Sequence, residues 1–403
     1  MKNAGHSVAA ILEGNFEEGA LRARVEEARQ GLVGGRADLA LVFMTPGLVP
    51  QAEEILEVVR VHGRATLLAG CSGSGVIGND MELEGPGPAL AFALLALPGA
   101  RLTPVRFTAA DLEEANGPGW WHAQTGLDAE AARGWLVFAD PFSVDIERWA
   151  HEWNEAYPGV PAIGGLAGGT AEAGDNRVFL NGTVHSDGGI AVAVGGAFRL
   201  EPVVSQGCTP IGRPWTVTAA ERNFVQRIGN LPALSVLQDT FNGLTEPEKA
   251  RAGGNIFVGL AVNEYQEEHR RGDFLVRNLL GADPNSGVVA VGARVRVGQT
   301  LQFQFRDGPA AAEDLATLLA RSQAHLAGQE VAAACLCSCA GRGRGLFGKR
   351  HQDAQAVRRG LREGLPVAGF FCNGEIGPVG DRNFVHGYTA AVGLFVGDGR
   401  QAG

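Results

Sequence analysis

The chain has 403 residues, too many for one ordinary core and enough for two or three domains at roughly 150 residues each. Its 34 basic and 44 acidic residues leave a net charge of −10. That excludes a nucleic-acid-binding surface, which needs a concentrated positive field. The longest uninterrupted apolar run, residues 89–97, is about half of a membrane span. The first residues show no charged segment followed by an apolar one, and six cysteines do not make a disulfide scaffold. The expectation is a cytoplasmic α/β protein that binds neither nucleic acid nor membrane.

Taken in chain order, apolar runs alternate with helical spacing. Residues 39–43 predict a strand, and 51–61 predict a helix through Ile55, Leu56, Val58 and Val59. A second strand, 65–69, runs into the glycine-rich turn Gly70-Cys71-Ser72-Gly73-Ser74-Gly75-Val76-Ile77-Gly78. Strands are predicted at 89–97 and 102–107. A second unit follows, with a strand at 135–138, a helix at 144–157 and a strand at 160–163 ending in Gly164-Gly165. A third places strands at 331–337 and 367–371 around a helix at 353–363, closing on Gly374-Glu375-Ile376-Gly377. The three read as one pattern of strand, loop, helix, strand and glycine-rich turn. A helix between two strands makes them parallel, and ligands of open α/β sheets favour the crevice beyond such strand ends. The same turns are also ordinary exits from buried strands.

Between the second and third units, residues 190–194, 198–204, 256–262, 274–279, 288–291 and 301–305 alternate as antiparallel strands do. A helical stretch is predicted over 219–241, broken at Pro232. No flexible linker is visible, so the expected fold class is α/β, with mixed sheets built from repeated strand–helix–strand units in two closely packed halves that divide near Leu231.

Gly73-x-Gly75-x-x-Gly78 spells a dinucleotide fingerprint, but that motif needs a helix N-terminus next. Residues 79–88 are acidic and broken by proline instead, which repels phosphate. No P-loop motif occurs. Cys335, Cys337 and Cys339 alternate along one side of a strand, about 6–7 Å apart, without the turn spacing of a zinc site. Buried cysteines serve as small core residues, which suits Cys335 and Cys337. Cys339 stands at the strand end beside Arg342 and Arg344, where positive charge favours a thiolate. Glu375 is placed to pair with those arginines or to accept from a ligand amine. His386 is a base, a haem ligand or a cap. Cys339, Glu375 and His386 together suit a nucleophile, an orienting acid and a base, or the polar lining of one pocket. Arg342, Arg344 and Arg350 suit a bound anion or plain surface ion pairs.

These segments resemble the FIST family of small-ligand sensory domains. The resemblance rests on the 70–78 turn, on 278–283 (Asn278 to Asp283), on 338–343, on 369–378 and on Phe384-Val385-His386-Gly387-Tyr388-Thr389. It spans about residues 35–395. It implies an extension with a first helix at 1–34, a FIST N-type domain at 35–231 and a FIST C-type domain at 232–398. It also implies a sensor of a small polar, amino-acid-like metabolite, and haem as an alternative cofactor because some members look like nitric-oxide sensors. No output segment is fused, so a separate signalling protein is the expected partner. The expected ligand-binding residues are Cys71, Ser72, Gly73, Ser74, Cys339, Arg342, Arg344, Asn373, Glu375 and His386, with no metal. The competing reading is a cysteine-dependent acyl or amide enzyme using Cys339 or Cys71; a docking module is the remaining one.

Overall fold

Three strand–helix–strand repeats, each exiting through glycine, have nowhere to bury a two-sided sheet except against one another. The computed structural model, which describes residues 7–252, 255–266 and 268–398, shows that solution. The helix Ala52–His62 joins the parallel strands Ala37–Met44 and Ala65–Ser72, and the helix Ile146–Ala156 joins Trp135–Ala139 and Ala162–Leu166. The segment carrying the helix Gln352–Leu361 joins Glu330–Cys339 and Val367–Cys372. The second helix shows the local logic: Asp145 caps it by accepting from Arg148 N–H, and Trp149 and Trp153 fall on its buried face.

Each parallel pair is the centre of a six-stranded mixed sheet. The outer hairpin of each sheet comes from another repeat. Gly75–Gly78 and Met81–Glu84, which follow the first repeat, join the third repeat's sheet on Val367–Cys372. Val178–Leu180 and Thr183–His185 join the first sheet on Ala65–Ser72. Glu375–Val379 and Arg382–His386 join the second on Ala162–Leu166. The exchange is cyclic, so the 70–78 sequence leads into a hairpin where a dinucleotide site would need a helix. The strand Ser7–Glu13, within the stretch read as an extension, edges the first sheet against Ala89–Leu95, and the helix Glu18–Gln30 follows it.

The chain divides into two compact units. The first holds the three sheets and takes the described residues of 7–204, 315–385 and 389–398, so it draws on both halves of the sequence. The second, residues 205–314 with 386–388, is built on a six-strand barrel. Its strands run Trp215–Glu221, Phe224–Ile228, Val288–Val291, Phe274–Asp283, Ile256–Ala261 and Thr300–Arg306, and the last returns to the first. Val217, Val225, Val258, Leu301, Phe303 and Phe305 fill its core. The helix expected over 219–241 is corrected here. Residues 215–228 form a hairpin of two barrel strands, and the helix is only Ala233–Asn242. Among the described residues no helix is long and apolar enough to cross a membrane.

Candidate functional site

Glycine sets the register of the three repeats. A Cβ on Gly70, Gly164 or Gly369 would fall 1.7, 1.7 or 1.8 Å from the carbonyl oxygen of Val42, Val137 or Leu336 on the neighbouring strand. No other residue fits there, and the three positions are therefore equivalent. One residue further, the facing pairs are Phe43 with Cys71, Phe138 with Gly165, and Cys337 with Phe370. Each repeat thus gives one benzyl ring and one small residue to a shared core. The rings meet with centroids 5.0 Å apart for Phe43 and Phe370, 5.3 Å for Phe43 and Phe138, and 5.8 Å for Phe138 and Phe370. Cys71 is the small partner of Phe43 and is fully buried there, and burial pushes its thiol pKa well up. Its side chain packs the core.

The exchanged hairpins put one more residue into the same layer. Val178 lies opposite Cys71 and Val76 lies opposite Phe370, but Glu375 lies opposite Gly165. Two repeats place valine here and one places a carboxyl group, with 0% exposure. Its Oε1 accepts from Cys372 Sγ at 3.2 Å and its Oε2 from Thr389 N–H at 2.9 Å. Cys372 is the register partner of Cys339, the last residue of its strand, which is half-buried. Burial first, then the neighbouring Glu375, pushes the Cys372 thiol pKa well up.

Beneath the strand end, Arg342 is buried and held in a two-pronged pair by Asp353. Nε to Oδ2 is 2.7 Å and Nη2 to Oδ1 is 2.9 Å. Ser338 Oγ donates to Asp353 Oδ2 at 2.9 Å. The guanidinium carbon lies 5.3 Å from the Phe347 ring centroid, and Nη1 is buried with no hydrogen-bond partner among the described residues. Burial opposes its charge, but Asp353, with smaller contributions from Cys339 and Glu375, raises its pKa.

The first repeat's hairpin pins this loop from outside. Glu82 Oε1 accepts from Ala354 N–H at 2.9 Å, and Glu82 N–H donates to His351 Nδ1 at 2.8 Å. Glu84 Oε1 accepts from Arg344 N–H at 2.9 Å, and it crowds Gly343, whose φ of 60° suits glycine. Burial, and then the nearby Asp353, push the Glu82 pKa up to about 7. Sequence reasoning missed Glu82, Ser338, Asp353 and Cys372. For Glu82 and Glu84 the available signal was the acidic segment after the glycine turn, read only as repelling phosphate.

Ser72 is buried, its Oγ accepting from Arg177 N–H at 3.0 Å. Gly73 N–H donates to Met44 O, and both N–H and Oγ of Ser74 donate to Phe371 O at 3.0 and 3.2 Å. Asn373 and Arg344 are exposed at the rim. His386 is buried and belongs to the barrel unit, whereas Cys339 and Glu375 belong to the sheet unit. Among the described residues no three His, Cys, Asp or Glu side chains gather as a metal site.

Residues 38–230 match the FIST N domain and residues 233–378 match the FIST C domain. The chain belongs to the FIST family. An uncharacterised protein of Mycobacterium tuberculosis (strain ATCC 25618 / H37Rv) is 36% identical over 369 residues, covering 92% of this chain and 94% of that one. An uncharacterised protein of Mycobacterium bovis is 34% identical over 372 residues, with the same coverage. Two cyanuric acid hydrolase structures cover 97% of this FIST chain, and 99% and 100% of their own, at 10% identity. Their TM-scores of 0.31 and 0.32 are too low to carry fold or function across. The FIST N match and the FIST C match both contribute residues to the cluster: Glu82 and Glu84 come from the first, and Arg342, Asp353 and Glu375 from the second.

Proposed function

We propose that this FIST protein binds a small polar, amino-acid-like metabolite at the end of the third repeat and passes the signal to a separate protein. The observation that carries the reading is Glu375, a buried carboxyl where the two equivalent positions are Val76 and Val178. Packing does not ask for it, and burying it opposes folding. Such a departure from local rules belongs to function more often than to stability. The reading puts the approach beside half-buried Cys339 and exposed Asn373. In this reading Glu375 takes a ligand donor such as an ammonium group. Arg342, fixed by Asp353, sets a positive field for an anionic group, and Arg344 stands at the mouth. Ser74 and Gly73 buttress the strand end from the first repeat.

The test is native mass spectrometry of the as-purified protein against its denatured mass, for wild type and Glu375→Val. The expected result is a discrete noncovalent mass in wild type that the variant lacks. Its value separates a metabolite from haem. An equal mass on both proteins removes Glu375 from the site.

A further inference from the structure

The same strand end carries two thiols whose pairing the ligand reading does not use. Cys339 and Cys372 are direct partners across the parallel ladder. Neighbouring strands put partner Cα atoms about 4.8 Å apart, inside the roughly 4.4–6.8 Å that a disulfide spans. Both side chains stand on the face that also carries Cys337 and Phe370, since residues two apart along a strand share a face. Their surroundings differ in kind. Cys339 is half-buried at the open end of the strand, while Cys372 is fully buried with its Sγ 3.2 Å from both Glu375 Oε1 and the Ser338 carbonyl oxygen. Of the six cysteines, Cys71, Cys208, Cys335, Cys337 and Cys372 are buried, leaving Cys339 the one with solvent reach.

We propose that Cys339 and Cys372 form a reversible dithiol that reduces a small hydroperoxide. The Cys339 thiolate, favoured by the fixed Arg342 charge, attacks the distal oxygen of the hydroperoxide. A sulfur–oxygen bond forms and the oxygen–oxygen bond breaks. The alkoxide (hydroxide, for hydrogen peroxide) leaves with the proton that Cys339 released. Cys339 becomes a sulfenic acid, and the hydroperoxide is reduced by two electrons. Cys372 then gives its proton to Glu375 as its sulfur attacks the Cys339 sulfur. The disulfide forms, the sulfur–oxygen bond breaks, and the departing hydroxide takes that proton as water. The sum is two thiols and one hydroperoxide going to one disulfide, one alcohol and one water. A dithiol reductant returns the pair to its starting state. Cys372 is the resolving thiol because it is fully buried beside the Glu375 carboxyl, whereas Cys339 has solvent reach. Once linked, Cys372 no longer donates to Glu375, so oxidation also rewrites the bonding of that carboxyl.

The experiment treats the full-length reduced protein with hydrogen peroxide and follows intact mass and peptide maps. The expected wild-type product has lost two hydrogens, links residue 339 to residue 372, and reverts with dithiothreitol. Cys372→Ser should stop at a Cys339 sulfenic acid trapped by dimedone. Cys339→Ser should consume peroxide at least about tenfold more slowly, since Cys339 is the cysteine with solvent reach. Near-UV circular dichroism matching wild type qualifies each variant, and Cys372→Ala replaces Cys372→Ser if the serine variant fails that check. Direct passage of Cys339 to sulfinic acid in the wild type, a link between any other pair, or wild-type peroxide consumption by Cys339→Ser overturns the proposal.

Discussion

Replacing Glu375 by valine gives the third repeat the residue that the other two already use. The change removes the acceptor of Thr389 N–H, and a buried donor left unpaired costs about 1–3 kcal/mol. The Cys372 thiol loses Glu375 but keeps the Ser338 carbonyl, 3.2 Å away. Against this, burying the valine side chain returns about 1.5–3 kcal/mol, and a further stabilisation comes from no longer desolvating a carboxyl group. The sum lies within about 2 kcal/mol of zero, on either side. Glu375→Ala has the same losses without the two extra carbons, so it should fall below Glu375→Val by about 1.6 kcal/mol. Urea denaturation measures both, provided the slope is unchanged so that midpoints report stability. A Glu375→Val protein destabilised by more than about 3 kcal/mol, with Glu375→Gln close to wild type, would refute the reasoning and make the carboxyl a structural group.

Asp353→Ala should cost about 3–5 kcal/mol because it strands the buried Arg342 charge, and Arg342→Met with Asp353→Leu should recover most of that in the same denaturation assay. Glu82 is an acid whose folded pKa, about 7, lies above its ordinary 4.5. Its folded form holds the proton longer than its unfolded form, so stability is fully present below about pH 4.5 and is lost as pH rises through about 7, by on the order of 3 kcal/mol. Glu82→Gln should flatten that slope in urea midpoints taken from pH 5 to pH 8; an unchanged slope assigns it to another group. Gly70→Ala, Gly164→Ala and Gly369→Ala should each destabilise by at least about 3 kcal/mol, since the added carbon meets a strand carbonyl. Gly345→Ala, which meets nothing within 4 Å, should leave the thermal midpoint unchanged or slightly raised; equal effects at all four positions would refute the register argument.

What was legible in the sequence was whatever is written locally. All three parallel pairs follow from apolar runs flanking a helical segment, and the strands within 256–262, 274–279, 288–291 and 301–305 follow from alternation. The hairpin exchange is not local, because each pairing joins segments far apart in sequence, as Gly369 pairs with Ile77. Residues 219–221 are Ala219, Ala220 and Glu221, all good helix formers, and barrel closure overrides that preference. Arg342 and Arg344 stand two residues apart as equals in the sequence. The turn at Gly343, at φ 60° and against Glu84, separates them, so Arg342 turns in to Asp353 and Arg344 stays out.

Glu375 was nonetheless readable in a stronger sense than its neighbours. The segments Gly75-Val76-Ile77-Gly78 and Gly374-Glu375-Ile376-Gly377 match in sequence at three of four positions, and the ladders show that the fourth position is the same place in two sheets. An internally repeated chain carries its own comparison. Where the repeats agree, as at Gly70, Gly164 and Gly369, backbone geometry has fixed the residue. Where one repeat buries a charge-bearing group and the others bury valine, the fold has been satisfied twice without it. The proposed function assigns the third choice to what the strand end holds or does. Cys339, Cys372, Arg342 and Asp353 share that strand end with Glu375, in the same repeat that breaks the pattern. That coincidence is why ligand binding and thiol chemistry are best tested there first.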